Sequence, residues 1–363
     1  MACVQFIQIE EETTRGTSVG SSLLSIPVKG NLMPDYNPED TPRSDFRGPC
    51  TALGNVSVER TSSQWTYSLQ TAYYPNAAIG LLLKHSNGKA GTRSVVDTTA
   101  YEGMVYPLPQ PYGTGRELGS KAVGIWVVYE KEGTSYKRYY GGGRITSGNM
   151  ATDDTGDVNL TFELTGAGEW VGSEAVNDLT FTAPTETPFT KSDIAIYANS
   201  GVSRTGTAPD YTDISPGTMD PMYPDNLDLT WTCGLSDKTV INGTKGPSKT
   251  TRENQYSAEF TASIDLADPS SGSFSSWDDY TARFNAPHTN SLLVVLDNGE
   301  LAGSATENYK ATFDLPSMLA NHDTPEIQPD GTQGTINLNY SSLNSETTEY
   351  PLGILTVDQA SAY

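Results

Sequence analysis

The sequence predicts a mainly β fold that consists of two tandem, related domains of the β-sandwich or barrel type, each with a short flanking α-helix, plus extended arms. Two short patterns occur twice. Tyr136-Lys137 returns as Tyr309-Lys310, and the Gly-x-Val/Ile-Asn-Leu strand that begins at Gly156 returns at Gly334. The displacement is that of a whole domain, well above the roughly 20–50 residues of a solenoid repeat. The 34 Gly and 22 Pro residues, dispersed among Ser, Thr and Tyr, are typical of turn-rich β structure.

The length of 363 residues is enough for about two domains. The predicted elements divide the chain into an N-terminal arm at 1–50, a first β-domain at 51–165, a bridging segment at 166–225 and a second β-domain at 226–363 with a C-terminal strand. A long insert at 86–120, rich in Pro and Gly, interrupts the first domain. Loops of that length are usually functional or form interaction arms.

The N-terminal segment 1–50 is expected to be irregular. Prolines from Pro27 to Pro49 interrupt its potential elements, and proline lacks the N–H that a central strand needs. Only short β-like stretches such as Phe6–Ile9 remain. We therefore expect this segment to lie across another surface, as a clasp in an assembly.

Alternating apolar residues and turn signals predict the same order of elements in each domain. In the first domain the predicted elements are strands at Val56–Glu59 and Gln64–Gln70, a helix at Pro75–Lys84, and strands at Val123–Tyr129, Tyr136–Tyr140 and Val158–Leu164. Proline near the first turn and Asn87-Gly88 after the last predict the limits of this helix.

The second domain repeats that order, with the Leu227 strand matched to the Val56 strand. The predicted elements are strands at Leu227–Trp231 and Tyr256–Ile264, a helix at Ser276–Phe284, and strands at Leu292–Leu296, Tyr309–Leu315 and Thr335–Tyr340. Asn242-Gly243 predicts a hairpin turn. Further strands are predicted at Leu179–Phe181, at Ile194–Tyr197 and at Leu352–Val357, the last able to pair outside its own domain.

The charge and the cysteines limit the class of protein. A net charge of −22 excludes a protein that grips nucleic acid through clustered Lys and Arg. Cys3, Cys50 and Cys233 form no CxxC pair, which predicts neither a disulfide framework nor a zinc site and fits assembly in a reducing cytoplasm. The N-terminal residues have no signal-peptide pattern, and no apolar run approaches the ~18 residues of a membrane helix.

No residue is predicted to be catalytic, cofactor-binding or metal-binding. His85, His288 and His322 are not spaced for a metal site or a triad, and we expect them in loops or at helix ends. Gly141-Gly142-Gly143-Arg144 lacks the Gly-Lys-Ser/Thr ending of a phosphate-binding loop, and we interpret it as a turn or bulge that follows a strand.

Four further patterns have a structural and a functional interpretation. Asp153-Asp154-Thr155-Gly156-Asp157 offers oxygens to a hard cation but lacks the twelve-position loop with a terminal Glu, so a solvated turn is expected. Trp277-Asp278-Asp279-Tyr280 is the most enzyme-like cluster, yet Trp277, Tyr280 and Phe284 have the spacing of a helix face that packs on a sheet. Carboxylate pairs for glycoside hydrolysis and the Asn159-Leu160-Thr161 glycosylation pattern are expected by chance in this composition.

Several stretches resemble the tail tube proteins of long non-contractile-tailed phages. They are Glu11-Glu12-Thr13-Thr14-Arg15-Gly16-Thr17, Ile26-Pro27-Val28, Arg47-Gly48, the Leu53–Val58 strand and the Gly80-Leu81-Leu82 helix. The repeated strand–strand–helix–strand order extends the resemblance over most of the chain. The bridging segment and the long insert depart from a generic single tube domain.

The resemblance implies tube-type β-domains in subunits that stack as rings around a DNA-conducting channel. A subunit with two such domains is expected to form a trimer with pseudo-sixfold symmetry. The implied partners are other copies of the chain and the tail terminator, tape measure and tail-tip proteins. DNA would pass through the lumen without specific binding. The implied location is the tail of the virion, after assembly in the host cytoplasm, with no enzymatic activity, cofactor or membrane insertion.

The acidic balance fits this role, because a negative channel wall repels DNA and prevents sticking. The alternative is a carbohydrate-binding or receptor-binding β-sandwich component of the virion, which predicts aromatic residues clustered on an exposed groove. A third hypothesis is another virion component, such as a capsid decoration or a tail terminator. Both alternatives share the predicted fold class.

Overall fold

The computed structural model shows a mainly β protein with two α-helices and one 3-10 turn in its described part. The structure describes all residues except 1, 14, 21, 31–32, 44–56, 108–121, 153–155, 168–170, 176–178, 239–248, 253–255, 267–272, 285, 304–305, 326–333, 344–347 and 349. The prediction of a mainly β fold is confirmed.

The first half of the chain, up to residue 175, contains eleven strands and helix α1. Its strands are β1 Ala2–Glu12, β2 Leu24–Ile26, β3 Asp35–Arg43, β4 Ser57–Ala72, β5 Gly88–Ala90, β6 Ser94–Asp97, β7 Ala100–Pro107, β8 Ala122–Lys131, β9 Thr134–Thr152, β10 Val158–Ala167 and β11 Val171–Ala175. Helix α1 spans Ala77–Asn87, between β4 and β5.

The second half, from residue 191, contains the 3-10 turn Lys191–Asp193, helix α2 and twelve strands. Its strands are β12 Ile194–Ala198, β13 Ser203–Thr207, β14 Asp210–Ser215, β15 Asp220–Met222, β16 Asp228–Thr232, β17 Leu235–Lys238, β18 Lys249–Arg252, β19 Ser257–Asp265, β20 Thr289–Leu301, β21 Asn308–Ala320, β22 Thr335–Ser342 and β23 Gly353–Asp358. Helix α2 spans Ser276–Ala282, between β19 and β20.

The two halves have the same order of antiparallel strands. In the first half the order is β2-β1-β8-β9-β10-β4-β3, and in the second it is β15-β12-β20-β21-β22-β19-β16. The repeated Tyr-Lys motifs occupy corresponding places in it. Lys137 of β9 pairs with β11, and Lys310 of β21 pairs with β23.

Two strand pairings join the halves into one sheet. β16 pairs with β9, and β23 pairs with β7, which belongs to the predicted long insert. The prediction that the last strand pairs outside its own domain is thus confirmed. The main apolar core also contains side chains of both halves, and the ring centroids of Phe162 and Trp231 lie 6.2 Å apart within it.

Local signals in the sequence explain the limits of both helices. The Asn76 side chain accepts a hydrogen bond from the Ile79 N–H at 3.1 Å, and Gly88 ends α1 in the left-handed conformation with a φ of 114°. Ser275 caps α2 in the same way, through the Asp278 N–H at 3.1 Å. Both predicted helices are confirmed, with limits shifted by a few residues.

Each half extends a long hairpin from the sheet. In the first half β3 pairs with β4 from Asp35↔Thr66 to Arg43↔Ser57. In the second half β16 pairs with β19, and the hairpin continues as β17 paired with β18 from Leu235↔Arg252 to Lys238↔Lys249. The predicted turn at Asn242-Gly243 lies outside the described residues.

Several predictions about the elements are wrong. Segment 1–50 is not irregular throughout, because Ala2–Glu12 pairs with both β2 and β8 and buries Ile7 and Ile9. The prolines that suggested an arm come later, in and around β3. Leu179–Phe181 is not a strand, whereas Ile194–Ala198 is. Val56–Glu59 and Gln64–Gln70 were predicted as two strands, and the structure has the single strand Ser57–Ala72.

The predicted match between the Leu227 and Val56 strands is also wrong. β16 lies beside β19, which is the position that β3 has beside β4. Val58 belongs to β4, which pairs with β3 in the hairpin and continues into the sheet, where it pairs with β10. The sequence repeat could not show this difference, because the counterpart of β4 is divided into β18 and β19.

Candidate functional site

Two of the three histidines converge on one aspartate of α2, Asp279, which is only 4% exposed. The Nε2 atoms of His288 and His322 lie 2.8 and 2.5 Å from its Oδ1 and Oδ2. The Tyr340 hydroxyl donates to Oδ2 at 2.5 Å, and the Asn290 amide donates to Oδ1. Donors from β20, β22 and the segment after β21 therefore hold α2 on the sheet.

This cluster forms a clamp around the Asp279 carboxylate. The Nδ1 atom of His322 accepts the Asn339 N–H at 3.0 Å, so both ring nitrogens are engaged and neither can take a proton from a substrate. Burial raises the pKa of Asp279, but the hydrogen bonds from His322 and Tyr340 outweigh it and hold the pKa below its usual value. The carboxylate thus stays ionised among its donors.

The third histidine lies in the last turn of α1, beside β1. His85 Nε2 lies 3.1 Å from Glu11 Oε1, and Lys84 Nζ lies 2.7 Å from the same oxygen. Burial raises the pKa of Glu11, but the bonds from His85 and Lys84 dominate and keep it far below its ordinary range. Burial also lowers the pKa of His85. All three histidines occupy the predicted loop or helix-end positions.

The glycine run Gly141–Gly143 forms a β-bulge. It lies inside β9, where the register with β8 shifts and Gly142 has a φ of 71°. Glu12 accepts the Gly142 N–H at 2.9 Å, and the Trp65 indole donates to the Gly141 carbonyl at 2.8 Å. The interpretation as a bulge is confirmed, and the bulge directs the Gly142 N–H to the Glu12 carboxylate of β1.

The predicted acidic turn is only partly described. Asp153 and Asp154 lie outside the described residues, and Asp157 pairs with Lys29 at 2.8 Å. Within the described ranges, no three His, Cys, Asp or Glu side chains are grouped to hold a metal ion. Cys233 is buried and donates its thiol proton to the Ser86 carbonyl at 2.6 Å. Cys50 and the side chain of Cys3 lie outside the described part.

The prediction that the aromatic face of α2 packs on the sheet is wrong for two of its three members. Tyr280 is buried, but Trp277 is 39% and Phe284 64% exposed. The helix is short and turns Asp279 inward, so its neighbour Trp277 faces outward. Arg283 stacks on the Tyr280 ring at 4.7 Å and donates to the His322 carbonyl. An aromatic surface thus remains at this end of the second half.

The structure contains two buried ion pairs that sequence reasoning missed. Arg204 of β13 binds both carboxylate oxygens of Asp314 at 2.7 Å, and the Tyr350 hydroxyl donates to the same aspartate at 2.6 Å. Arg93, between β5 and β6, binds Asp358 at 2.8 Å with both side chains 3% exposed. The available signal was an aspartate inside an apolar strand, as in Phe313-Asp314-Leu315.

The C-terminal end of α1 lies at the junction between the halves. Its last residues bind three side chains of the second half. The Trp231 indole donates to the Ser86 hydroxyl at 3.1 Å, and the Tyr256 hydroxyl donates to Asn87 at 2.7 Å. Together with the thiol of Cys233, these contacts cover the C-terminal end of α1. Helix α2 has no comparable cover among the described residues.

Comparisons with known proteins identify no relative: no family model matches the sequence, and no curated protein matches it. In the described part, neither helix is long and apolar enough to cross a membrane.

Proposed function

We propose that this protein is a structural component of a virion, the major tail tube subunit of a long non-contractile-tailed phage. Three chains would form a ring with pseudo-sixfold symmetry, and the rings would stack around a DNA-conducting channel. The observation that carries the proposal is the strand order that both halves share. A chain with two similar ring-forming units gives six similar positions from three copies, and cyclic closure satisfies head-to-tail contacts.

The way in which the halves are joined supports this proposal. β16 and β23 of the second half pair with β9 and β7 of the first, so the units associate edge to edge. Edge pairing is also how a ring removes exposed strand edges. The two long hairpins leave their halves at similar positions, and we assign them to the wall of the channel.

The charge also suits a conduit. A net charge of −22 repels DNA, so the genome can move without adhering to the wall. The proposed partners are further copies of this chain, the tail terminator, the tape measure and the tail-tip proteins. No specific DNA binding, cofactor or enzymatic activity belongs to the proposal, and the proposed location is the tail of the virion.

Electron microscopy of the purified protein tests the proposal directly. Negatively stained samples are compared before and after the protein is concentrated, and again after addition of a tail-tip complex. We expect hollow tubes or stacked rings whose end views show three chains and six similar lobes. A compact monomer at every stage of assembly would contradict the proposal, as would trimers with a solid centre.

The second candidate is a carbohydrate-binding or receptor-binding component of the virion. The exposed rings of Trp277 and Phe284 favour it, because sugars stack on exposed aromatic faces. A glycan array and a reducing-sugar assay distinguish the two candidates. Binding that Trp277→Ala abolishes, and that Tyr223→Ala at another exposed aromatic residue leaves intact, would support the second candidate.

A further inference from the structure

We infer that Asn298-Gly299, in β20, is a self-modifying site, at which the main-chain nitrogen of Gly299 attacks the Asn298 side chain and converts it to an aspartyl residue. The modification needs no partner protein, so it is independent of whether the chain forms a tube. It follows from a comparison of two Asn-Gly pairs that the structure places in opposite surroundings. A third pair, Asn242-Gly243, lies outside the described residues.

The reaction is an intramolecular acyl transfer between the two residues of the pair. The nitrogen of the residue after asparagine attacks Cγ, the bond between Cγ and Nδ2 breaks, and ammonia leaves as a five-membered imide closes. The proton of the attacking N–H passes to a base and then to the departing ammonia. Water opens the imide at either carbonyl and leaves an aspartate or an isoaspartate. Glycine in the second position favours this closure because it has no Cβ to crowd the attacking nitrogen.

The Asn298-Gly299 pair lies in an open bulge between β20 and β21. Asp297 pairs with Lys310 and Leu301 pairs with Asn308, so three residues of β20 stand opposite one of β21. Gly299 is exposed, has a φ of 70°, and a Cβ added to it would meet nothing within 4 Å. Water therefore reaches the pair, and the bulge has room for the imide ring.

A carboxylate already holds the attacking N–H. The Gly299 N–H donates to Asp297 Oδ1 at 2.9 Å, and the Asn308 amide donates to the same oxygen at 3.2 Å. A nucleophile within hydrogen-bond reach of a base, with the base held by a third group, is the arrangement that activates weak nucleophiles. Asp297 is thus placed to take the proton as the nitrogen attacks.

A second donor lies on the oxygen that gains charge during the attack. The Glu300 N–H donates to Asn298 Oδ1 at 3.0 Å. When Cγ is attacked, negative charge develops on this oxygen, and a main-chain N–H that is already in place stabilises it. The departing Nδ2 donates to the Thr187 carbonyl at 3.3 Å, which is long for such a bond and therefore easily broken.

The Asn87-Gly88 pair is the internal comparison, because the fold opposes each of these steps there. Asn87 is fully buried, its Nδ2 donates to the Leu83 carbonyl at 2.9 Å, and its Oδ1 accepts the Tyr256 hydroxyl at 2.7 Å. The Gly88 N–H is bonded to the Lys84 carbonyl in the helix cap, and a carbonyl is too weak a base to take its proton. We therefore expect this pair to stay intact while the protein is folded.

The product changes the contact between the bulge and the segment that bridges the two halves. The Asn298 amide donates to the Thr187 carbonyl, and the Thr187 hydroxyl donates to the Glu300 carboxylate at 2.6 Å. A carboxylate in place of the amide cannot donate, and it faces the Thr187 carbonyl oxygen instead. It also adds a negative charge between Asp297 and Glu300. The modification therefore weakens this contact in each converted chain.

Peptide mapping by mass spectrometry tests the site on the full chain. The folded protein and the protein in concentrated guanidinium chloride are incubated side by side in heavy-oxygen water at mildly alkaline pH. Conversion at each asparagine is followed through the oxygen that it incorporates. In the folded protein we expect Asn298 to convert at least about tenfold faster than Asn87, and at least as fast as it does in denaturant. In denaturant the two pairs should convert within about threefold of each other.

Two isosteric variants test the assignment of the base. Asp297→Asn keeps an acceptor oxygen for the Gly299 N–H and removes the base, so conversion of Asn298 should slow at least about tenfold. Glu300→Gln is the matched control, because it removes one negative charge next to Gly299 and keeps the main-chain N–H that binds Asn298. Its rate should stay within about twofold of the parent. Circular dichroism before incubation must show the parental fold in both variants.

Several outcomes would overturn the inference. Slower conversion of Asn298 in the folded protein than in denaturant would mean that the fold protects the pair. Equal conversion of Asn87 and Asn298 in the folded protein would show that the surroundings of the two pairs do not matter. Equal slowing by Asp297→Asn and Glu300→Gln would assign the effect to local charge and contradict the role of Asp297 as the base.

Discussion

Gly80 of α1 lies directly beneath the aromatic ring of Tyr363, and a Cβ added to this glycine would stand 1.9 Å from the nearest ring carbon. Lys84, one turn later, donates to the main-chain oxygen of Tyr363 at 2.5 Å. The Arg93 guanidinium stacks on the Tyr363 ring, 4.2 Å from the ring centre. The missing side chain at Gly80 thus permits the last described residue to pack on a helix of the first half.

The variant Gly80→Ala should therefore lower the stability, although Ala favours a helix over Gly by roughly 1 kcal/mol. Forcing a methyl group into this contact typically costs about 1–3 kcal/mol. Urea denaturation followed by circular dichroism measures the free energy of unfolding. In a Tyr363→Ala background the same substitution should be neutral or stabilising. A more stable single variant would contradict the packing described above.

The variant Arg204→Ala should be strongly destabilising. It leaves the Asp314 carboxylate, whose side chain is fully buried, without its cation and with the Tyr350 hydroxyl as a donor at 2.6 Å. Removing one partner of a buried pair costs about 3–5 kcal/mol. A double-mutant cycle with Asp314→Ala isolates the coupling, and the two losses should be far from additive. Additive losses would show that the two side chains act independently.

The variant Asp279→Asn should lower the free energy of unfolding by about 2–4 kcal/mol, because an amide cannot accept at both oxygen positions from the four donors. Thermal and urea denaturation measure the effect. Asp278→Asn, at the exposed neighbouring position, is the matched control and should change stability little. Equal effects of the two substitutions would argue against the clamp.

The stability should also respond to pH through Glu102 of β7. Burial, with Asp213 and Glu307 nearby, raises the pKa of Glu102 to about 7, from an ordinary value of 4.5. Between those values the folded protein holds a proton that the unfolded chain has released, so this contribution to stability falls as the pH rises. The variant Glu102→Gln should flatten the dependence from pH 5 to 7.5. Glu132→Gln, in an exposed turn, should retain the parental slope.

The candidate surfaces were only partly predictable from the sequence. The Ser-capped segment that begins at Ser276 was correctly predicted to be a helix, but the spacing of Trp277, Tyr280 and Phe284 did not show which ring would be covered, because that depends on where the sheet lies. His288 and His322 are far apart in the sequence and gave no sign of a common partner. They meet at Asp279 because α2 rests on β20 and β22, whose order is set by long-range pairing.

Local chemistry by itself determined many of the strands and the approximate positions of both helices. Alternating side chains specify one buried face, and Asn76, Ser275 and Gly88 cap the helices through bonds to their near neighbours. The repeated Asn-Leu strands likewise indicated that the chain has two similar halves. These interactions act over a few residues, so the sequence indicates them without knowledge of the tertiary structure.

Only the tertiary structure decided which edges meet. The sequence placed Ala2–Glu12 in an arm, yet it pairs with β8, and β16 joins a strand of the other half. An unpaired strand edge can accept any extended segment, so its partner is chosen by the packing of side chains from distant parts of the chain. Trp231 packs beside Phe162 and hydrogen-bonds to Ser86 because the core of the two halves is continuous.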